Sequence, residues 1–480
     1  MTLVSLLTLN TKNTAEQGYP VQRLKRISNL FKRIGFILFL SVVWLSHGDE
    51  ASAQSAPAAS VRPDTGGAPV LYLGVKGSRR TILPLALTPF ARDPSDAVLN
   101  QIAEATFAVL SEDLRNSARF EVLVDSARTD TTGRGVLLDR WSAVGARGLV
   151  RGEVRRKPDG LELFATLYRL PDGKLLIAKV YRVDRERTRM VAHRLSDDIV
   201  YSLTGQEGVA SSRIAFVSAA KGRKEIYVMG YDGHGLRPVT DDRTIDRSPS
   251  WSPDGKQIAY SSLRQVRWEI FIADVLSGVT NPIRTSSTFN ISPAWSPDGS
   301  QILFSINDES NIDLYTIPVS GGRLRRVTDH PETDTEPSWS PNGQKIAFTS
   351  DQAGIPQVYI MGSDGSSIRR LTWEPDAYEG SPRWSPDGRR IAFVRRGFDG
   401  FDVYVMEAEG GTPFRLTAGG SNENPSWSPD GLQIAFCSNR DGGDDIYVMN
   451  WDGTNLRRLT SGGGNTSPAW SPVSREEGGD

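Results

Sequence analysis

From Arg213 onward the chain repeats one arrangement of polar and apolar positions. Each unit holds a polar stretch ending in S-P-x-W-S, then an apolar I-A-F/Y-x-S run, then an I/V-Y-V-M run, and last a short R-x-L/V-T segment. The apolar runs are four to six residues long and bounded by Gly, Pro and Asp, so each unit reads as four short antiparallel strands. Trp251, Trp295, Trp339, Trp384, Trp427 and Trp470 mark the first strands, at spacings of 44, 44, 45, 43 and 43 residues. A period of 40 to 45 residues with four strands per unit is that of propeller blades, and it assigns the tryptophans to packing between blades.

The turns carry matching chemistry. Pro253-Asp254-Gly255 and its copies at Pro297, Pro341 and Pro386 place proline and then glycine where a tight turn needs positive φ. Asp-Gly pairs at 232, 364 and 452 are expected to join third to fourth strands. The second strands begin at Ile214, Ile258, Ile302, Ile346, Ile391 and Ile434, so the first of them has no Trp-bearing strand before it. The last Trp strand, SPAWSP at 467–472, has nothing after it. The two fragments complete one blade, which predicts a six-bladed ring closed by pairing the C-terminal strand with the first blade, without a free sheet edge.

Strand direction then sorts the connections onto two faces. The Pro-Asp-Gly and Asp-Gly turns share one face and repeat closely. The segments leading into the first strands share the other face and differ from blade to blade, as binding segments on a repeated scaffold do. They are read as loops around the channel mouth, with candidate partner-binding residues Asp246, Arg247, Asn290, Ser292, Thr335, Glu336, Glu379, Asn422, Glu423 and Asn465.

Upstream, a basic run (Arg23, Lys25, Arg26, Lys32, Arg33) precedes the apolar stretch 34–45 and then Ala51-Ser52-Ala53. Twelve apolar residues are too few to cross a bilayer core, which needs roughly 20, so residues 1–53 read as an export signal cut between Ala53 and Gln54. The exported product is expected to be soluble, a monomer without direct membrane insertion. Residues 54–68 read as a flexible tail. Residues 69–205 read as a small α/β domain: strands at 81–87 and 120–125, a helix from Asp96 to Asn116 with Val98, Ile102, Ala105, Val109 and Leu114 on one face, a short helix around Trp141, a three-strand meander, and a helix over 185–203. The propeller takes 206–480.

Composition narrows the chemistry. With 56 Lys and Arg against 57 Asp and Glu there is no basic field for nucleic acid. The single Cys, Cys437, excludes an internal disulfide and sits in an apolar strand pattern. No G-x-S-x-G elbow, P-loop or G-x-G-x-x-G is present. The two propeller histidines, His234 and His330, fall on opposite faces, so no catalytic residue, cofactor or His-based metal site is assigned. Asp241, Asp242 and Asp246 remain a candidate calcium cluster. An alternative reading is a propeller enzyme, a lyase or lactonase, working through a metal in the channel.

Four strings, TSDQAGIPQVYIM (349–361), DLRNSARF (113–120), AHRLSDDIVYSLTG (192–205) and the terminal SPAWSP, resemble the TolB family of periplasmic propeller proteins in the Tol-Pal envelope system. The resemblance implies a non-enzymatic protein that binds the peptidoglycan-associated lipoprotein at the channel mouth, with Thr335, Glu336 and Pro337 at the contact. It also implies that the N-terminal tail engages an inner-membrane Tol protein and that the system supports outer-membrane constriction during cell division. Residues 290–293 match the family pattern only in part, and the tail at 54–68 does not match the family's tail.

Overall fold

The computed structural model describes residues 82–91, 95–124, 134–220, 222–308 and 311–473. The leader, the Ala53–Gln54 junction and the tail lie outside them. Among the described residues no helix is long and apolar enough to cross a membrane.

The N-terminal domain is one sheet with helices against it. Strands β1 (Leu83–Leu87), β2 (Phe120–Leu123), β3 (Gly148–Lys157), β4 (Gly160–Arg169) and β5 (Leu175–Val183) lie in the order β2-β1-β3-β4-β5. The β1 strand is parallel to both neighbours, and β3 to β5 form an antiparallel meander. Helix α1 (Ala97–Asn116) starts where the Asp96 carboxylate accepts the Leu99 N–H at 3.0 Å, which satisfies one of the helix's open donors. Its buried stripe is Leu99, Ile102, Ala103, Thr106, Val109, Leu110 and Leu114. The expected stripe was rotated too far: Val98 and Ala105 face outward, because α1 packs on both the sheet and helix α3 (Thr188–Thr204). Helix α2 (Arg134–Ala143) carries Trp141 into a smaller core with Leu149 and Tyr168.

Six four-stranded sheets follow. The first blade contains β6 (Arg213–Ser218), β7 (Glu225–Gly230) and β8 (Arg237–Pro238); the second, β9 (Ile245–Trp251), β10 (Gln257–Arg264), β11 (Arg267–Asp274) and β12 (Thr280–Ile283). The third holds β13 (Asn290–Trp295), β14 (Gln301–Asn307), β15 (Ile312–Pro318) and β16 (Arg325–Arg326); the fourth, β17 (Asp334–Trp339), β18 (Lys345–Ser350), β19 (Gln357–Gly362) and β20 (Arg369–Arg370). The fifth holds β21 (Glu379–Trp384), β22 (Arg390–Arg396), β23 (Phe401–Glu407) and β24 (Phe414–Arg415); the sixth, β25 (Asn422–Trp427), β26 (Gln433–Ser438), β27 (Asp445–Asn450) and β28 (Arg457–Arg458). Strand β29 (Asn465–Trp470) pairs antiparallel with β6, so the first blade reads β29-β6-β7-β8.

Hydrophobic cores sit in the seams between blades. Trp251 packs with Ile226 and Val228 of the preceding blade, and its indole N–H donates to the Ala469 carbonyl at 2.9 Å. Trp427 and Trp470 make the same kind of bond to Arg383 O and Ser212 Oγ. These three tryptophans thereby bury their rings and satisfy their one donor, while the indole nitrogens of Trp295, Trp339 and Trp384 are buried without a hydrogen-bond partner among the described residues.

The Pro-Asp-Gly face of the ring carries the N-terminal domain. Arg119 pairs with Asp430 at 3.1 Å, and the Gln433 side-chain amide donates to the Asn116 carbonyl. Asp113 of α1 accepts from Tyr231 at 2.6 Å and meets His193 Nδ1 of α3 at 2.7 Å. The second imidazole nitrogen of His193 faces Asp232 at 3.2 Å, and Arg189 pairs with the same carboxylate.

Candidate partner-binding site at the channel mouth

The inner strands β9, β13, β17, β21, β25 and β29 touch one another in sequence around the axis, and β29 closes on β9. Each enters the channel with the same short motif, and the third residue of each takes positive φ: Ser248 (53°), Ser292 (56°), Glu336 (54°), Ser381 (52°), Asn424 (54°) and Ser467 (52°). The ladder to the second strand shifts register there in every blade. These are β-bulges, which bend the strand and re-aim its side chains.

The bulge splits the ten sequence-predicted residues into two groups. Asp246, Asn290, Glu379, Asn422 and Asn465, the opening residues of the motif, are buried, which corrects their assignment to exposed mouth loops. Their polar groups are spent on the scaffold. Asn422 donates to Asp402 Oδ1 at 3.2 Å and accepts from Ser438 at 2.8 Å; Asn465 donates to Asp445 at 2.8 Å. Glu379 accepts from Arg395 at 2.7 Å, and Asn290 bonds Thr285 and the Trp268 carbonyl at 2.9 Å each. An opening residue wedged between two blades must be polar to meet these partners, and this made it look like a binding residue in the sequence.

Arg247, Ser292, Thr335, Glu336 and Glu423 retain solvent access on the channel wall. Glu336 is not a free loop charge as the sequence implied. Its carboxylate accepts from Thr349 Oγ1 (2.9 Å), the Tyr378 hydroxyl (3.2 Å), and both the N–H and hydroxyl of Ser381 (2.9 Å each). Gly380 leaves room for this arrangement: a Cβ there would lie 2.5 Å from the Tyr378 hydroxyl. Glu423 accepts from Ser421 at 2.6 Å, and burial pushes its carboxyl above the usual range, with the charges of Asp444 and Glu336 adding to the effect. Across the opening, Arg247 lies over the Trp268 ring at 5.3 Å, and burial lowers its guanidinium pKa. Burial and the charge of Arg247 bring Lys224 down to about 8. The channel mouth thus carries Arg247 and Lys224 where the first and second blades meet and Glu336 and Glu423 on the fourth and sixth blades.

Of the candidate calcium cluster, Asp242 and Asp246 come together with Glu225, their oxygens within 4.8 Å of one another, and Asp241 is not part of the group. The trio lies at the first blade seam, where Thr240 donates to Glu225 at 2.7 Å and Thr244 donates to Asp246 at 3.0 Å. Burial raises the Asp246 carboxyl to about 6. His234 and His330 do fall on opposite faces: His234 follows the Asp232-Gly233 turn, and His330 meets Asp334 at 2.9 Å near the mouth.

The sequence reading missed two features. Val266, Trp373 and Phe398 stand exposed on loops of the mouth face, Trp373 with 70% of its surface open. Trp373 was legible as a tryptophan outside the W-S-P motif. The His193 cluster was not, since its members lie far apart in the chain.

Comparison with known proteins agrees with this architecture. The TolB amino-terminal domain family matches residues 71–176, and the TolB beta propeller domain family matches 200–396 and 376–476. A Tol-Pal system protein TolB from Anaeromyxobacter sp. is 35% identical over 180 residues, 36% of this chain and 41% of the relative. One from Geobacter sulfurreducens is 40% identical over 164 residues, 34% of this chain and 37% of the relative. The chain thus matches about two fifths of the length of these relatives. The crystal structure of TolB from Acinetobacter baumannii superposes with a TM-score of 0.70 at 28% identity, covering 82% of this chain and 97% of that one. The chain belongs to the TolB family of Tol-Pal system proteins.

Proposed function

We propose that the protein is a non-enzymatic periplasmic adaptor that holds the peptidoglycan-associated lipoprotein over its channel mouth. It reaches an inner-membrane Tol protein through its N-terminal region, and so supports outer-membrane invagination during cell division. The observation that carries this reading is the orientation of the two domains. The N-terminal domain covers the Pro-Asp-Gly face through the Asn116, Arg119 and His193 contacts. The bulged mouth on the other face keeps Arg247, Thr335, Glu423 and the exposed Trp373 and Phe398 for a partner. An aromatic anchor beside a polar opening that carries charges of both signs has the make-up of a protein-binding surface.

The test is a calorimetric titration of the exported protein with the soluble domain of the same organism's peptidoglycan-associated lipoprotein. Micromolar or tighter binding is expected. Thr335→Arg, which adds bulk at the mouth without removing a side-chain bond, should weaken it at least tenfold. Absence of binding by the wild type would overturn the reading.

A further inference from the structure

We infer that the central channel contains a carboxylate-binding site centred on Arg383. The next-to-last residues of the six inner strands are Ser250, Ala294, Ser338, Arg383, Ser426 and Ala469. Arg383 is the one charged residue in this ring, and it keeps some access to solvent, as Ser250, Ala294, Ser426 and Ala469 do, while Ser338 is buried.

The hydrogen-bond inventory at this level is one-sided. Ser250, Ser338 and Ser426 each use their oxygen to accept a backbone N–H from the next blade, from Trp295 (3.4 Å), Trp384 (3.3 Å) and Trp470 (2.9 Å). Among the described residues none of the three hydroxyls donates to an acceptor. Arg383 spends one N–H on the carbonyl of its own neighbour Pro382 at 2.9 Å, and no described carboxylate lies within ion-pair distance of it. Arg326, Arg395, Arg415 and Arg458, by contrast, are all paired with carboxylates. Glu336 is near enough to act on Arg383 electrostatically, but four donors already occupy its carboxylate. Burial lowers the guanidinium pKa, so the charge sits where water compensates it poorly.

A guanidinium with several unused donors, in a ring whose serine hydroxyls have protons left to donate, favours a planar oxyanion and pairs with a carboxylate in two-point geometry. The ligand is a small free carboxylic acid or an acidic group of a partner that reaches down the channel.

Thermal unfolding of the full chain at pH 7, with acetate replacing chloride at constant ionic strength, tests this. Wild type should gain about 2 °C at an acetate concentration ten times its dissociation constant. Arg383→Lys should keep part of the gain, and Arg383→Gln should lose it. An equal acetate response in wild type and Arg383→Gln, or none in wild type, overturns the site. If Arg383→Gln does not fold, the Ser338→Ala/Ser426→Ala double variant replaces it and should weaken acetate binding severalfold; an unchanged response overturns the site. Acetate that competes with the soluble lipoprotein domain identifies the partner's acid as the ligand, and acetate that binds without competing identifies a free acid; both support the site. Because the first arm needs no partner, its failure is separate from failure of the lipoprotein reading.

Discussion

Glu336 joins two blades, since Thr349 belongs to its own sheet while Tyr378 and Ser381 belong to the entry of the next. Reversing its charge leaves the hydroxyls of Thr349, Tyr378 and Ser381 facing an ammonium that cannot accept, and leaves the Ser381 N–H only its 3.1 Å contact with Thr349 Oγ1. A buried donor without an acceptor costs about 1–3 kcal/mol, so Glu336→Lys should lower the unfolding temperature by several degrees, and Glu336→Gln by less. Circular dichroism melts of the three proteins check this; an unchanged melting curve for Glu336→Lys would show that the carboxylate's bonds contribute nothing. Loss of partner binding in Glu336→Lys would therefore not by itself locate the partner, which is why Thr335 is the better probe of the mouth.

At the scale of the element, the R-x-L/V-T segment does more than add a fourth strand. Thr417 accepts the Val403 N–H and donates to Asp402, both at 2.9 Å, while Arg415 closes the same carboxylate at 2.6 Å. Thr328 with Asp313 and Arg326, and Thr460 with Asp445 and Arg458, repeat this lock. The fourth blade builds it with a neutral Gln357 in place of the acid. Thr417→Val keeps shape and removes both bonds, with an expected loss of about 1–3 kcal/mol; a urea midpoint equal to wild type would contradict it. The segment was legible in the sequence because apolar alternation and turn residues act within one blade. Its role as a lock was not, because the acid it closes lies 13 to 15 residues away. The buried state of Asn422 and Asn465 was hidden for a related reason: the side chain that covers each of them comes from the adjacent blade. The bulges were equally silent, as Ser, Asn and Glu at positive φ carry no glycine to announce them.

For the whole molecule, His193 ties α3 to both α1 and the first blade. Burial disfavours its charged form, but hydrogen bonds and charge from Asp113 and Asp232 outweigh that and raise its pKa to about 9. Tyr231, Arg189 and Arg457 complete the surroundings. A histidine whose pKa is higher folded than unfolded stabilises fully below about pH 6.5, and this stabilisation is lost as pH rises through about 9. The contribution is on the order of 3 kcal/mol. The unfolding temperature should fall between pH 6.5 and 9 more steeply in wild type than in His193→Gln; equal slopes would remove His193 as the interdomain pin.

The closing strand has a consequence for how the protein is made. Trp470 donates to Ser212, a partner 258 residues earlier in the chain, and β29 pairs with β6 along its length. A ribosome delivers β29 long after β6. Throughout that interval β6 presents an unpaired edge able to recruit a strand from another nascent chain. Closure of the ring therefore waits for the last strand of the chain, and any factor that covers the β6 edge until then would raise the yield without altering the finished fold.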